Sequence, residues 1–74
     1  MAEFKYDVKE IYGVLSETRA GWTKELRLIS WNDGAPKLDI REWSPDGEKM
    51  GKGITLSVEE TQILKDLLKD INME

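Results

Sequence analysis

Residues 37–56 read KLDIREWSPDGEKMGKGITL, and this stretch decides the fold. Its first seven residues alternate between the two faces of a strand, with Leu38 and Ile40 on the side of a core. The opposite side carries two cations, a carboxylate and an indole, namely Lys37, Arg41, Asp39 and Trp43. A sheet that only covers a core does not need this second composition, whereas a surface that grips a charged polymer with flat bases does.

Turn signals divide the rest of the chain into antiparallel strands. The sequence SPDG at 44–47 predicts a tight turn, and Gly51 and Gly53 in the strand that follows indicate either a strained strand entry or close approach of the backbone. Residues 22–31 predict another strand, which the Asn-Asp-Gly sequence at 32–34 joins to the next as a hairpin.

The N-terminal segments are less regular. Aromatic and aliphatic residues, Tyr6 among them, alternate with charged ones over residues 1–9, which leaves open whether this segment is an edge strand or an arm. Residues 10–19 are rich in β-forming side chains, and Gly13 among them indicates a bulge or a bend. A turn at Gly21 then leads into the next strand.

One amphipathic helix is predicted at the C-terminal end of the pattern. Ser57 and Glu60 have the spacing of a capping box, in which each side chain accepts a hydrogen bond from the backbone of the other residue. Apolar residues recur at helical spacing behind this cap: Ile63, Leu64, Leu67, Leu68 and Ile71. The order is therefore several antiparallel strands followed by a helix whose apolar stripe serves a core or a dimer contact.

The length and composition limit what this chain can be. Its 74 residues without a flexible linker predict one domain spanning residues 1–74. Chains of this size have a thin core and usually need a disulfide, a metal or a partner subunit. There is no cysteine or histidine, which excludes disulfides and zinc sites of the Cys/His type. A homodimer is therefore expected.

The same composition argues against several function classes. Without cysteine and histidine there is no thiol nucleophile and no imidazole base, and no acidic pair stands out among the 15 acidic residues. We therefore expect no enzyme, no cofactor and no small-molecule substrate. No apolar run approaches the length of a membrane span, and the N-terminus lacks an apolar signal core. A cytoplasmic, nucleoid-associated protein is expected, with no membrane partner.

The net charge of −4 is unevenly distributed. From Ser57 onward five acids stand against two lysines, so most of the excess negative charge lies in the predicted helix. Most of the cations before Ser57 lie in the predicted sheet. An acidic helix behind a cation-bearing sheet is compatible with binding a polyanion on one face.

The order of these segments resembles the transcriptional coactivator family called positive cofactor four, especially its small bacterial YdbC-type members. The resemblance rests on DIREW at 39–43 and KGITL at 52–56, in that order and before a capped helix. It implies an α+β fold of the order ββββα, a curved antiparallel sheet of about four strands with one C-terminal helix, which forms a homodimer. It also implies binding of single-stranded DNA with little sequence preference.

The resemblance also assigns individual residues. Arg41 falls on the family's sheet arginine, Lys52 on its lysine in the glycine-rich strand, and Trp43 on its aromatic position. Lys37 falls on the basic residue that opens the strand, and Trp31 on the aromatic residue before the hairpin. With the cations that the strand pattern adds, the predicted nucleic-acid-binding residues are Lys24, Arg27, Trp31, Lys37, Arg41, Trp43, Lys49 and Lys52.

The physical basis of this prediction is that cations follow phosphates while aromatic rings stack on unpaired bases. Single-stranded DNA is the expected partner, with RNA as a further possibility, in transcription, replication or repair. Glu25 and Asp39 share the cationic face, and we expect them to orient the neighbouring arginines. Trp22 is expected to be structural.

Alternatives remain for each of these roles. The two site indoles could form a core or dimer-interface pair, and Arg41 could serve only an internal ion pair with Asp39 or Glu42. Lys24 and Lys49 could be ordinary solvated surface. For the whole protein, the alternative is a protein-interaction module whose aromatic sheet face seats a polypeptide.

Overall fold

A computed structural model describes residues 5–73. The elements follow one another as β1 (Tyr6–Glu17), β2 (Thr23–Trp31), β3 (Lys37–Trp43), β4 (Met50–Leu56) and α1 (Val58–Lys69). The four strands form one antiparallel sheet in the order β1-β2-β3-β4. The predicted ββββα architecture is confirmed. Within the described range, no helix is long and apolar enough to cross a membrane.

Strand β1 joins the two N-terminal stretches that looked separate in the sequence. Its pairing with β2 skips Lys9, Tyr12 and Leu15, so a bulge interrupts the ladder at each of these residues. Each bulge adds one residue to one side of the pairing, which bends the strand and displaces the simple alternation of faces. The bulge expected near Gly13 is confirmed, and the part of the predicted arm at residues 1–4 lies outside the described residues.

The predicted turns have the backbone that their residues favour. Asn32 and Asp33 take the left-handed conformation, with φ of 49° and 63°, and the N–H of Gly34 donates to the carbonyl of Trp31 at 2.8 Å. Gly47 has φ of 77° in the turn between β3 and β4. Asparagine, aspartate and glycine accept this conformation at low cost, so local chemistry sets the β2–β3 hairpin.

The helix begins at the predicted cap. The backbone N–H of Glu60 donates to the Ser57 hydroxyl at 3.1 Å, and the N–H of Ser57 donates to the Glu60 carboxylate at 2.9 Å. The capping box is therefore confirmed. None of the helical residues is buried; of the apolar stripe, Leu64 and Leu68 line a cleft against the sheet, whereas Ile63 and Leu67 are exposed. Helix propensity and the cap start the helix, but the rest of this chain does not bury its apolar side chains.

The sheet has two chemically distinct faces. The face beneath the helix, here called the apolar face, carries Leu26, Leu28, Leu38 and Ile40. The opposite face, here called the polar face, carries Glu25, Arg27, Ile29 and Trp31 from β2, Lys37, Asp39, Arg41 and Trp43 from β3, and Tyr6 from β1. This division of β2 and β3 follows the predicted alternation.

The apolar face remains open. A cleft of about 640 Å³ separates part of α1 from the sheet, and residues of β1, β2, β3 and α1 line it, among them Tyr12, Leu15, Leu26, Leu38, Ile40, Leu64 and Leu68. Leu68 retains 56% of its accessible surface. The most tightly packed side chains lie instead on the polar face, where Ile29, Asp39 and Trp43 are almost completely buried.

Candidate nucleic-acid interface

Two arginine–carboxylate pairs are placed on the polar face by the pairing of β2 with β3. Arg27 lies opposite Asp39 and Glu25 opposite Arg41, so the four charged side chains form a compact block across two strands. Opposite charges on directly paired residues favour this register, because cross-strand neighbours are within reach of one another.

Each arginine is nevertheless held by the carboxylate two residues before it on its own strand. Arg27 Nε donates to Glu25 Oε1 at 2.7 Å, and Arg41 donates from Nε and Nη2 to the two oxygens of Asp39 at 3.0 and 3.2 Å. Arg41 Nη1 also donates to the Gly51 carbonyl at 3.1 Å. The expectation that Glu25 and Asp39 orient the arginines is therefore confirmed.

Both carboxylates have a second donor. Thr55 donates its hydroxyl proton to Asp39 Oδ2 at 2.7 Å, and the Thr23 hydroxyl donates to Glu25. Burial by itself raises the pKa of Glu25, but the hydrogen bonds from Thr23 and Arg27 and the charge of Arg27 outweigh this effect and hold the pKa below its ordinary value. The Glu25 carboxylate is thus fixed in its charged form beside Arg27.

The two guanidinium groups lie at the ends of a row of aromatic rings. Arg27 Cζ lies 3.9 Å from the ring centroid of Trp43, and Arg41 Cζ lies 5.2 Å from that of Trp31. Tyr6 completes the row, because its ring centroid is 5.9 Å from each indole. These distances lie within the range of cation–π and tilted aromatic contacts.

A groove opens at one end of this row. It measures about 410 Å³ and is lined by Trp31, Lys37, Arg41, Met50 and Thr55. Three of the predicted site residues therefore meet in one solvent-accessible depression on the face away from the helix. This groove offers an indole, an ammonium group and a guanidinium group to a ligand.

Trp43 does not face outward as expected. Its indole is 1% exposed, although it lies on the polar face and not beneath the helix. The guanidinium of Arg27, itself only 8% exposed, covers it, and Tyr6 packs beside it. The expectation of an open Trp43 ring was wrong because alternation predicts the face of a sheet and not what a neighbouring side chain places on top of it.

Lys24 and Lys52 lie on the other side of the sheet from this groove. They line a second depression of about 340 Å³ together with Ile40, Arg41, Glu42, Gly53 and Ile54. Alternation along β4 explains the position of Lys52, because its neighbour Gly53 pairs with Arg41 on the polar face. Lys49 is exposed in the turn between β3 and β4, where its N–H donates to the Ser44 hydroxyl.

Gly53 shows why β4 needs glycine beside the site. A Cβ atom there would lie 2.6 Å from both Arg41 Cβ and the Ile40 carbonyl oxygen. The backbone of β4 therefore passes directly under the Arg41 side chain, as the two glycines of this strand indicated. Gly53 leaves room for Arg41 to reach Asp39 and the groove.

Sequence reasoning missed Tyr6 as part of this surface. The residue alternates with charges near the N-terminus, which was the available signal, but its position depends on pairing with Trp31 across the β1–β2 ladder. Met50 and Thr55 were also missed, because nothing in their local sequence separates a groove-lining residue from an ordinary strand residue.

Comparison with known proteins identifies the family. The profile of the family described as Transcriptional Coactivator p15 (PC4) matches residues 18–67, which contain β2, β3, β4 and most of α1. A protein of Treponema pallidum (strain Nichols), described as uncharacterized, is 47% identical over 72 residues, which cover 97% of this chain and 85% of that protein. The matched family is one of nucleic-acid-binding coactivator domains and not of enzymes. With the fold and the resemblance of its motifs, these matches show that the chain belongs to the transcriptional coactivator p15 (PC4) family.

Proposed function

We propose that this protein binds single-stranded DNA with little sequence preference through its polar face, and that it serves transcription regulation, replication or repair. One observation carries the proposal: Trp31, Lys37 and Arg41 line the same groove on the face that the helix leaves free. An indole in such a groove offers stacking, which contributes about 1–3 kcal/mol per base, while the cations meet the adjoining phosphates. Duplex bases are already stacked on one another and gain less from this surface.

The chemistry of the groove also supports weak sequence preference. Reading a base edge requires paired donors or acceptors, such as an arginine fork or a side-chain amide. The fork of Arg41 is already engaged by Asp39 and the Gly51 carbonyl. Stacking on Trp31 and a point charge from Lys37 serve every base in a similar way, so the groove would recognise unpaired nucleotides as a class.

A homodimer formed through the apolar face belongs to the same proposal. The apolar cleft and the exposed stripe of α1 leave a surface that this small chain does not cover. Large exposed apolar patches mark interaction surfaces, and a second copy supplies the same apolar stripe in return. Because the polar face lies on the opposite side of the sheet, such a dimer leaves both grooves accessible.

A polypeptide-binding role remains the alternative, and the charge of the polar face favours it. Three cations, Arg27, Lys37 and Arg41, stand against two carboxylates, Glu25 and Asp39, so this face has little excess positive charge. A ligand held mainly by the aromatic rings would include a protein segment. Salt separates the two roles, because binding of a polyanion weakens with ionic strength by counterion release.

The test is to titrate a 20-nucleotide oligo-dT, its duplex with oligo-dA and oligo-rU of the same length. We expect oligo-dT to bind more tightly than the duplex and the affinity for it to fall with salt. The double variant Trp31→Ala/Arg41→Ala should lose about a hundredfold in affinity while keeping its circular dichroism spectrum. The matched control is Arg19→Ala/Trp22→Ala, which removes the same two residue types outside the polar face. Equal oligo-dT binding by the parent and by Trp31→Ala/Arg41→Ala would overturn the proposal.

A further inference from the structure

Tyr6 belongs to a part of the chain that the family match does not reach. The matched segment begins at residue 18, whereas Tyr6 is the first residue of β1. The β1–β2 ladder pairs it directly with Trp31. The bulges further along β1 do not affect this pairing, so Tyr6 stands on the polar face beside the groove.

Of the three rings in the aromatic row, Tyr6 is the most exposed. Its residue exposure is 37%, against 1% for Trp43, and Trp31 is of intermediate exposure. Tyr6 touches both indoles at the same centroid distance of 5.9 Å. The buried Trp43, held by Arg27, therefore supports the tyrosine from one side, while Trp31 continues the row towards the groove.

We propose that Tyr6 is a base-stacking residue of the nucleic-acid site and that Trp43 is a positioning residue beneath it. This inference rests on the proposed function and extends the site by one nucleotide beyond the family segment. A ring that packs against two indoles and keeps 37% of its residue surface exposed loses little conformational entropy when a base stacks on it, which favours stacking.

The surroundings of Tyr6 fit a base better than a phosphate. Tyr6 borders a hollow of about 290 Å³ that Lys5, Asp7, Ser30 and Asp33 also line, and the ladder places the Asp7–Ser30 pair on the sheet face opposite the Tyr6 ring. Asp33 is paired with Lys5 at 3.4 Å, and Asp7 with Lys9 at 2.8 Å. The lysines offset these carboxylates, so the hollow has no excess positive charge to attract a phosphate. An uncharged, flat base does not need a positive charge to bind there.

The experiment compares two 20-nucleotide probes, oligo-dT and an abasic strand with the same sugar–phosphate backbone. We expect Tyr6→Ala to weaken oligo-dT binding by about tenfold and to leave binding of the abasic strand unchanged. Tyr6→Phe keeps the ring and should bind oligo-dT like the parent. Tyr6→Leu keeps a sizeable apolar side chain without a ring and should show the loss of Tyr6→Ala, which covers the case in which the alanine variant folds poorly. Val14→Ala, on the same strand and face but outside the aromatic row, is the control.

The possible outcomes separate this inference from the proposed function. If Tyr6→Ala and Tyr6→Leu bind oligo-dT as tightly as the parent, Tyr6 is not a stacking residue and the groove at Trp31 stands alone. If both variants lose the same factor of affinity for oligo-dT and for the abasic strand, Tyr6 only supports the sheet by packing, which also overturns the inference. If the parent itself does not bind oligo-dT, the proposed function and the inference both fail.

Discussion

The guanidinium of Arg27 lies over the indole of Trp43, with 3.9 Å from Cζ to the ring centroid, and both residues are buried. Glu25 holds the guanidinium in place through a 2.7 Å hydrogen bond from Nε. The equivalent pair at the other end of the aromatic row, Arg41 and Trp31, is more open at 5.2 Å. The polar face thus has a closed half that stabilises the fold and an open half that is available to a ligand.

This division predicts different effects for the two indoles. Trp43→Ala removes a fully buried ring and should lower the free energy of unfolding by about 3–5 kcal/mol. Trp31→Ala removes a partly exposed ring, so it should lower the free energy of unfolding by less than Trp43→Ala does. Its main effect should be on the affinity for oligo-dT. Urea denaturation and oligo-dT titration of both variants measure this. Equal stability of the two variants would contradict the distinction.

Gly53→Ala should destabilise the protein by about 1–3 kcal/mol, because the new Cβ meets Arg41 Cβ and the Ile40 carbonyl oxygen at 2.6 Å. Gly13→Ala is the matched control, since no atom lies within 4 Å of a Cβ at that position. It should be neutral or slightly stabilising because alanine restricts the unfolded chain. Thermal denaturation of the two variants tests this prediction, and a Gly53→Ala variant as stable as the control would refute it.

The depressed pKa of Glu25 predicts a pH-dependent contribution to stability. The folded-state pKa lies below the ordinary value of 4.5, so the unfolded chain takes up a proton first as the pH falls. The stabilisation is therefore complete above the unfolded-state pKa and is lost as the pH falls through the folded-state pKa.

Glu25→Gln, which cannot ionise, tests this sign. The parent should be more stable than the variant at neutral pH, and the difference should shrink as the pH is lowered below about 4. Urea denaturation over a pH series measures the difference. A difference that stays constant with pH would show that the charge of Glu25 does not stabilise the fold.

Salt dependence of DNA binding should depend on Lys37. Among the polar-face cations that the structure describes, it is the one with no carboxylate partner, whereas Arg27 and Arg41 each have one. We expect a shallow log–log salt slope for oligo-dT, and Lys37→Ala should reduce its magnitude by about 0.7, the value for one phosphate on a single strand. Lys69→Ala, on the helix, should leave the slope unchanged. An unaltered slope in Lys37→Ala would place the phosphate contacts elsewhere.

The open apolar face predicts an oligomer that a single charge disrupts. Leu68 lines the apolar cleft and is 56% exposed in the single chain. Leu68→Glu should convert a dimer into a monomer, because a carboxylate buried in an apolar interface without a partner is strongly unfavourable. Lys69→Glu, which introduces the same side chain at the next position, should remain dimeric. Sedimentation velocity distinguishes the two, and a dimeric Leu68→Glu variant would exclude this interface.

Several features of the fold could be predicted because they depend on interactions between residues close in sequence. The alternation in β3, the Asn32–Gly34 hairpin and the Ser57–Glu60 capping box all lie within a few residues. Their chemistry is complete before any tertiary contact forms, so composition and spacing suffice. The separation of Leu38 from Arg41 onto opposite faces follows in the same way.

The site could be predicted only in part, because its details depend on which residues pair across strands. Alternation placed Trp31, Lys37 and Arg41 on one face correctly, but it could not show that Arg27 closes over Trp43. Burial of this kind depends on where long side chains from a neighbouring strand lie, and a single sequence does not predict those positions.

The sequence by itself therefore determined the order of the elements, the turns and the two faces of the central strands. Only the tertiary structure decided that Tyr6 joins the aromatic row and that Met50 lines the groove with Arg41. The physical reason is the pairing of strands: the β1–β2 ladder sets Tyr6 opposite Trp31, and a bulge between Met50 and Gly53 puts Met50 opposite Trp43 on the polar face. Where a bulge forms depends on two strands at once, and that information appears only when they are paired.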